Sequence, residues 1–267
     1  MGQMQVNSHR LLPPTIQGLI ASACWEHDAT LHNNGNPRWT NRIVTPADGA
    51  NQSDYDFFKG VSESTSNDPT HDGTDFLFDG TQFMKSVKST TAIPPTWANM
   101  HRADAAEIDW WMVLIGTLSG AADTMLVSSA SSSAGNGLGL LWVTATNVIT
   151  AREYNNNGLT NATNLATGTK DATFFLALSH DKTLNTITHW YNTGTGTSVA
   201  RTLIDLVPGA TPDASGALRL YSGAGGSNVA PAGSKLRFFA GGNGLLTNQN
   251  VQDLEALLQA RHGVSYF

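Results

Sequence analysis

Cysteine and charged residues are scarce in this sequence. The chain of 267 residues has one cysteine, Cys24, and charged residues make up only 13% of it. A single cysteine excludes a disulfide framework within the chain, which is compatible with folding in a cytoplasm. Soluble domains usually have about 25% charged residues, so the surface must be built mainly from neutral Thr, Ser, Asn and Gly.

Basic clusters and long apolar runs are also missing. The chain has 15 Lys and Arg against 21 Asp and Glu, and its formal net charge is −6. Without a basic stripe to follow a phosphate backbone, nucleic acid is not an expected partner. No apolar run approaches the roughly 18 residues of a membrane helix, and Pro13 and Pro14 interrupt the N-terminal apolar stretch. We therefore predict no membrane insertion and no signal peptide.

Short apolar segments separated by Gly, Ser and Asn clusters fill most of the chain after residue 73. They predict strands over 76–79, 82–87, 108–116, 124–128, 138–144, 148–154, 174–179, 185–191, 198–204, 217–221 and 236–240. The Gly80-Thr81 pair indicates a hairpin between the first two. Nothing alternates with helical patterns, so we predict an all-β, two-sheet antiparallel sandwich.

The C-terminal stretch predicts one short α-helix over 247–262. Val251, Leu254, Leu257 and Leu258 share one helical face. Thr247 or Asn248 can cap its start, the basic residues near its end suit the helix dipole, and Gly263 can supply a left-handed stop. A lone helix in a β protein must pack on a sheet or close one end of a sandwich.

The predicted strand at 108–116 is apolar on both faces. One face carries Ile108, Trp110, Met112 and Leu114, and the other carries Trp111, Val113 and Ile115. A strand of a sandwich normally has one solvent-exposed face. Because both faces are apolar here, the outer face must be covered by the N-terminal arm, the terminal helix or another subunit. An assembly interface formed by Pro13, Pro14, Trp110 and Trp111 is one of these alternatives.

An ordered set of short sequence motifs gives the chain a resemblance to a known family. The motifs are Trp25-Glu-His-Asp28, Trp39-Thr-Asn41, Phe78-Asp-Gly-Thr81, Ile108-Asp-Trp-Trp111, Thr186-Ile-Thr-His-Trp-Tyr-Asn192 and the C-terminal Leu254-Glu-Ala-Leu-Leu-Gln-Ala-Arg-His-Gly263. In this order they resemble concanavalin A-like, laminin-G-like jelly rolls over most of the chain. The polar start of the chain and the bend at Pro13-Pro14 predict an N-terminal arm (1–18). The resemblance implies one jelly-roll domain (19–267), with a loop-rich part (19–73), core strands (74–246) and a closing helix (247–262).

Catalytic chemistry has one candidate motif, and it is incomplete. Laminarinase-type glycoside hydrolases share the jelly roll and carry E-x-D-x-x-E on one strand. Here Glu107 and Asp109 are followed by Met112 at the position of the last carboxylate. Met cannot transfer the proton that hydrolysis requires. We therefore assign no catalytic residue and expect a protein that is not an enzyme, with hydrolysis as the least favoured alternative.

Metal and sugar binding remain as alternatives. The acidic stretch before residue 76 offers Asp72 and Asp75 as candidate calcium ligands, although such residues commonly bond the backbone of a turn instead. No other cofactor is expected. Saccharides stack on exposed aromatic rings and bond to amides, so the candidate carbohydrate-binding residues are Trp97, Tyr154, Asn156 and Tyr221.

The resemblance and the composition together favour a bacteriophage virion protein. Stand-alone jelly rolls of this kind occur in phage particles. Such proteins are made in the host cytoplasm and are assembled into particles there. We therefore predict a non-enzymatic virion subunit, either a capsid decoration or head-fibre protein or a tail-associated fibre. Its expected partners are itself, as a homo-oligomer such as a trimer, other virion proteins and host-surface glycans. The alternative is a free carbohydrate-binding, lectin-like module.

Overall fold

Two antiparallel sheets stacked face to face make up the fold. The computed structural model describes residues 13–33, 35–60, 68–88, 95–100, 108–129, 137–155, 158–200, 218–223 and 227–267. The strands of these residues are β1 (Ala23–Asp28), β2 (Arg38–Trp39), β3 (Phe57–Lys59), β4 (Thr70–His71), β5 (Phe76–Leu77), β6 (Met84–Ser86), β7 (Trp110–Thr117), β8 (Thr124–Ser128), β9 (Gly137–Val143), β10 (Val148–Asn155), β11 (Gly158–Thr167), β12 (Thr173–Asp181), β13 (Thr186–Tyr191), β14 (Thr197–Ala200), β15 (Arg219–Leu220) and β16 (Lys235–Asn243).

The strands divide into two sheets of eight. The first has the order β14-β13-β12-β7-β16-β5-β4, and β1 pairs with the later part of β16. The second has the order β11-β10-β9-β8-β15-β6-β3-β2. Single-turn 3₁₀ helices cover Ile16–Gly18, Ala29–Leu31 and Gln52–Tyr55, and the α-helices are α1 (Pro95–Met100) and α2 (Asn248–His262). The predicted antiparallel β-sandwich with a short C-terminal helix is confirmed. Among the residues described above, neither α-helix is long and apolar enough to cross a membrane.

The hairpin predicted at Gly80-Thr81 is wrong. β5 pairs with β4 and β16 in the first sheet, whereas β6 pairs with β3 and β15 in the second. Gly80 does adopt a positive φ of 100°. The turn therefore carries the chain from one sheet to the other rather than back along its own strand.

Strand β7 is apolar on both faces, as predicted, because each face has its own core. Trp110, Met112 and Leu114 belong to the large cluster between the sheets. Trp111, Val113 and Ile115 belong to a second cluster on the outer side of the first sheet. That outer cluster is completed by the end of the N-terminal segment and by α2, through Ile16, Ile20, Val251, Leu254 and Leu258. The outer face is thus covered within one chain.

Helix α2 begins and ends where the sequence places it. The Thr247 Oγ1 atom accepts a hydrogen bond from the Asn250 amide at 3.1 Å, and the Asn250 side chain accepts one from the Thr247 amide at 3.0 Å. Gly263 ends the helix in the left-handed conformation, with a φ of 72°. Leu254 and Leu258 are fully buried and Leu257 is half-buried. Each fully buried Leu contributes about 1.5–3 kcal/mol by leaving water.

Truncation of the buried helix face should therefore cost far more stability than truncation beside it. Leu254→Ala leaves a cavity against the first sheet, so we expect a loss of about 2–5 kcal/mol in the free energy of unfolding. Leu257→Ala, on the half-buried flank, should cost less than half as much. Urea unfolding followed by fluorescence gives both values, and equal losses would contradict the seating of α2 described here.

Candidate functional site

The aromatic side chains predicted to bind sugar do not lie on the surface. Trp97 of α1 is 1% exposed, and its ring packs against Tyr55 with centroids 4.9 Å apart. Tyr221 is fully buried, and its hydroxyl donates to the Lys235 carbonyl oxygen at 2.7 Å. These two predictions are corrected, because a ring buried in the core cannot stack on a ligand. Tyr154 lies in β10, and Asn156 lies outside the described residues.

The predicted assembly interface is also corrected. Trp110 lies in the core between the sheets and Trp111 in the outer core, both with an exposure of 1% or less. The Trp111 indole N–H donates to the Asn243 carbonyl oxygen at 3.0 Å. The carbonyl oxygens of Pro13 and Pro14 accept hydrogen bonds from Arg42 and Arg261 of the same chain. The two Trp rings are thus buried within the chain and cannot contact a second subunit, whereas Pro14 is exposed and a contact through Pro13 and Pro14 stays a prediction. A homo-oligomer stays a prediction.

The two candidate calcium ligands have partners in the protein. One carboxylate oxygen of Asp72 accepts the amides of Thr74 and Asp75 at 2.9 and 2.8 Å, and these bonds hold the pKa of Asp72 below its ordinary value. Asp75 forms a two-pronged ion pair with Arg237, both contacts being 2.8 Å. Within the described ranges, no three His, Cys, Asp or Glu side chains are grouped so as to hold a metal. The turn interpretation explains Asp72, and an ion pair explains Asp75.

The incomplete hydrolase motif lies at the start of β7. Asp109 accepts the backbone amide of Lys182 at 2.9 Å, and Met112 is buried in the core. Glu107 lies outside the described residues.

A buried ionic network that the sequence analysis missed joins β1 to α2. The carboxylate of Glu26 is fully buried and contacts both Arg42 and Arg261, the latter at 2.7 Å. Its second oxygen accepts the Ile16 amide at 2.7 Å. The two guanidinium groups also hold the carbonyl oxygens of Pro13 and Pro14. One carboxylate therefore organises both the N-terminal segment and the last turn of the terminal helix.

Asp28 extends this network toward the C-terminus. Its carboxylate lies 3.2 Å from His262 Nε2 and 3.4 Å from Arg261, and it accepts a hydrogen bond of 2.6 Å from the Thr30 hydroxyl. Burial alone would raise the pKa of Asp28, but the hydrogen bonds and charges of His262, Thr30 and Arg261 together lower it. On the other side of its ring, His262 Nδ1 is 2.6 Å from the Tyr266 hydroxyl.

A polar cleft opens beside this network. It has a volume of about 140 Å³ and is bounded by the end of β1, by the following loop and by the residues around β2. The described residues of this loop, here called the 29–37 loop, are 29–33 and 35–37. Its described lining consists of Asp28, Leu31, His32, Asn33, Asn36, Trp39, Thr40 and Arg42. These residues run from the end of the first Trp motif of the sequence, Trp25-Glu-His-Asp28, to the residue just after the second, Trp39-Thr-Asn41. Apart from the spacing of these two motifs, no pattern in the sequence indicated the cleft.

The cleft walls hold polar groups that the protein leaves without partners. The indole N–H of Trp39 and Nε2 of His32 are buried, and neither has a hydrogen-bond partner among the described residues. On the rim, the side-chain oxygens of Asn33 and Asn36 accept the amides of Gly35 and Arg38, at 3.1 and 3.0 Å. Their side-chain nitrogens remain as donors with no partner in the part of the chain described here. Buried polar groups are normally bonded to protein or to ordered water, so a water or another polar molecule would satisfy these two atoms.

Two histidines lie at or next to the cleft, since His32 lines it and the buried His27 packs on Trp39 with ring centroids 5.0 Å apart. Burial lowers the pKa of His27 to about 3 and, with the charges of Lys59 and His71 adding to it, the pKa of His32 to about 4. The rings of His32 and Trp39 both pack on Phe76, with centroids 5.0 Å apart in each case. His27 and His32 are thus uncharged at neutral pH.

Comparisons with known proteins give a likeness in fold. No family model matches the chain. No curated protein matches it either. Among solved structures, the sialidase of Trypanosoma rangeli in complex with sialic acid aligns with 93% of this chain at 11% identity and a TM-score of 0.59. A mutant of that sialidase displaying trans-sialidase activity aligns with 91% at 12% identity and a TM-score of 0.58.

This chain spans about a third of those sialidases, 34% and 33% of their lengths. At such low identity the likeness establishes a shared fold and nothing about activity. The CBM40 domain of Ruminococcus gnavus IT-sialidase, bound to alpha2,3 sialyllactose, aligns with 68% of this chain at 9% identity and a TM-score of 0.48. A score this low does not establish a common fold.

Removal of the central carboxylate should destabilise the protein strongly. Glu26→Gln leaves Arg42 and Arg261 as buried cations without their shared counter-ion, so we expect a loss of about 3–5 kcal/mol in the free energy of unfolding. The control is Asp253→Asn on the exposed side of α2, which should change stability by no more than about 0.5 kcal/mol. Chemical unfolding measures both, and a small effect at Glu26 would show that the network is dispensable.

Acid should destabilise the protein through His27. The unfolded His27 titrates near 6.5 and the folded one near 3, so the unfolded chain binds the proton first as pH falls. Stability is therefore lost as pH decreases through this window, by about 2 kcal/mol from His27 alone between pH 7 and pH 5.

The His27 contribution can be isolated with His27→Gln, which retains an N–H group to donate to the Tyr55 carbonyl oxygen. Urea unfolding at pH 7, 6 and 5 should show a weaker dependence on pH in this variant than in the wild type. Identical dependences would mean that folding does not shift the pKa of His27.

Proposed function

We propose that this protein is a non-enzymatic saccharide-binding β-sandwich and that the cleft beside Trp39 holds the sugar. The observation that carries the proposal is that two residues of the cleft lining each have a buried polar atom without a partner among the described residues, the indole N–H of Trp39 and Nε2 of His32. A hydroxyl group both donates and accepts hydrogen bonds, so it suits a wall that mixes donors and acceptors. The amide nitrogens of Asn33 and Asn36 add two further donors at the rim.

The charges of the cleft favour a neutral ligand. Arg42 is paired with Glu26, and Asp28 is paired with Arg261 and His262. His32 is uncharged at neutral pH. An ion entering the cleft would therefore find no uncompensated opposite charge among the described residues, whereas a polyhydroxyl compound needs none. The volume of about 140 Å³ is small beside the roughly 300–1,000 Å³ of pockets for larger ligands, which favours a single sugar ring.

The same lining supports binding rather than hydrolysis. Glycoside hydrolysis generally requires two carboxyl groups flanking the bond, one of them able to donate a proton. Asp28 is the one acidic residue of the described lining. Its carboxylate is held ionised by Thr30, Arg261 and His262, so it is a poor proton donor.

A virion role stays a prediction from the sequence. A phage fibre or decoration protein that touches host glycans would use the same cleft, and its homo-oligomer would form through surfaces other than Trp110 and Trp111. The apolar outer face of β7, which favoured a particle subunit, is accounted for by α2 and the N-terminal segment. The cleft therefore favours glycan recognition, with or without a particle.

Removal of a single N–H group should test the proposed site. Trp39→Phe keeps an aromatic ring but removes the indole donor, so affinity for a sugar identified by glycan-array screening should fall about tenfold or more. Asn36→Asp keeps the oxygen that accepts the Arg38 amide while it removes the amide donor, and it should also weaken binding. Isothermal titration calorimetry measures each effect.

The matched control is Trp97→Phe. Trp97 also has a buried indole N–H without a partner among the described residues, but it lies in the core away from the cleft lining. It should leave affinity unchanged while it perturbs stability to a similar degree. No binding to any glycan by the wild type, or equal losses at positions 39 and 97, would overturn the proposed site.

A further inference from the structure

The 29–37 loop forms one wall of the cleft and is fastened at its two ends. Near the start, the Thr30 amide and hydroxyl both donate to Asp28, and His71 Nε2 lies 2.8 Å from the Ala29 carbonyl oxygen. At the other end, the Lys59 amide donates to the Pro37 carbonyl oxygen at 3.3 Å. Between these points, the His32 ring packs the loop against the sandwich.

The His32 ring is held by packing and not by a hydrogen bond at Nε2. Its centroid lies 5.0 Å from that of Phe76 and 5.3 Å from that of His71, and Nε2 is buried without a partner among the described residues. This environment accepts a neutral ring. A protonated ring would place a charged N–H at the buried Nε2, with no acceptor among the described residues to receive it.

The charged groups around His32 also oppose a second positive charge. Lys59 lies in β3 and His71 lies in β4, and electrostatic repulsion from both disfavours protonation of His32. Asp68 lies near Lys59, which lowers its pKa against the larger raising effect of burial. The carboxylate of Asp28 and the guanidinium of Arg42 also line the cleft, but each is paired within the ionic network.

We propose that protonation of His32 releases the 29–37 loop from the sandwich, so that the cleft keeps this wall at neutral pH and loses it in mild acid. The release of a bound sugar by acid rests on the function proposed above, whereas the loop motion does not. An opened loop exposes the imidazole to water and to an ordinary titration. Protons therefore favour the open state.

Linkage sets the size of the effect. The closed form of His32 titrates near pH 4 and an exposed histidine near 6.5. The equilibrium constant for opening should therefore rise between pH 7 and pH 5 by at most about twentyfold. The half-buried position of the ring makes this an upper bound.

Hydrogen exchange of the backbone tests the loop directly. After correction for intrinsic exchange rates, protection of residues 29–37 in the wild type should fall up to about twentyfold between pH 7 and pH 5. His32→Gln cannot be protonated, and its protection should not depend on pH. His189→Gln replaces a buried histidine of β13 that does not line the cleft, and it should behave like the wild type. Protection of β7 monitors global unfolding and should exceed that of the loop at both pH values.

The outcomes separate this inference from the proposed function. Loss of loop protection in acid that persists unchanged in His32→Gln, or no loss in the wild type, overturns the acid-opened loop whatever the protein binds. Loop opening that depends on His32, in a protein that binds no glycan at pH 7, supports the loop inference and overturns the saccharide site. Where a glycan binds, its affinity should fall in acid in the wild type more than in His32→Gln.

Discussion

The shared carboxylate of Glu26 is the contact on which the outer side of the first sheet depends. It lies on β1, fully buried, and pairs with Arg42 and Arg261 while it accepts the amide of Ile16. One charge thus joins β1, the segment after β2, the N-terminal segment and the terminal helix. A buried charge is tolerated only when its partners are held in place, so these four parts of the chain must dock together.

Local patterns in the sequence predicted some elements well and others poorly. The terminal helix was predictable because its 3.6-residue period, cap and stop lie within one short stretch. The two apolar faces of β7 were equally visible. Strand β11 was not predicted, because its residues Gly158–Thr167 are mostly Thr, Asn, Gly and Ala at a sheet edge, without an apolar run. At Gly80, the turn residues showed a change of direction but could not show which sheet receives the next strand.

The candidate site was much less visible than the fold, since its contacts join distant residues. Glu26 and Arg261 are 235 positions apart, and no spacing rule relates them. From the sequence, Arg261 and His262 were expected to interact with the negative C-terminal end of the helix. In the structure, they pair with buried carboxylates. The sugar-binding prediction assumed that aromatic residues stand on loops. Trp97 and Tyr221 instead fill the core, because large rings bury the most apolar area where two sheets meet.

Asp28 links the two halves of this architecture. Its carboxylate receives Arg261 and His262 from beneath α2, and the same residue lines the cleft where the 29–37 loop begins. The apolar residues of α2 supply most of the free energy that holds the helix on the sheet, whereas the ionic contacts set its position along β1. A cleft wall that starts at Asp28 therefore takes its geometry from the docking of the chain's C-terminal helix. The cleft and the outer core are consequently parts of one structural unit.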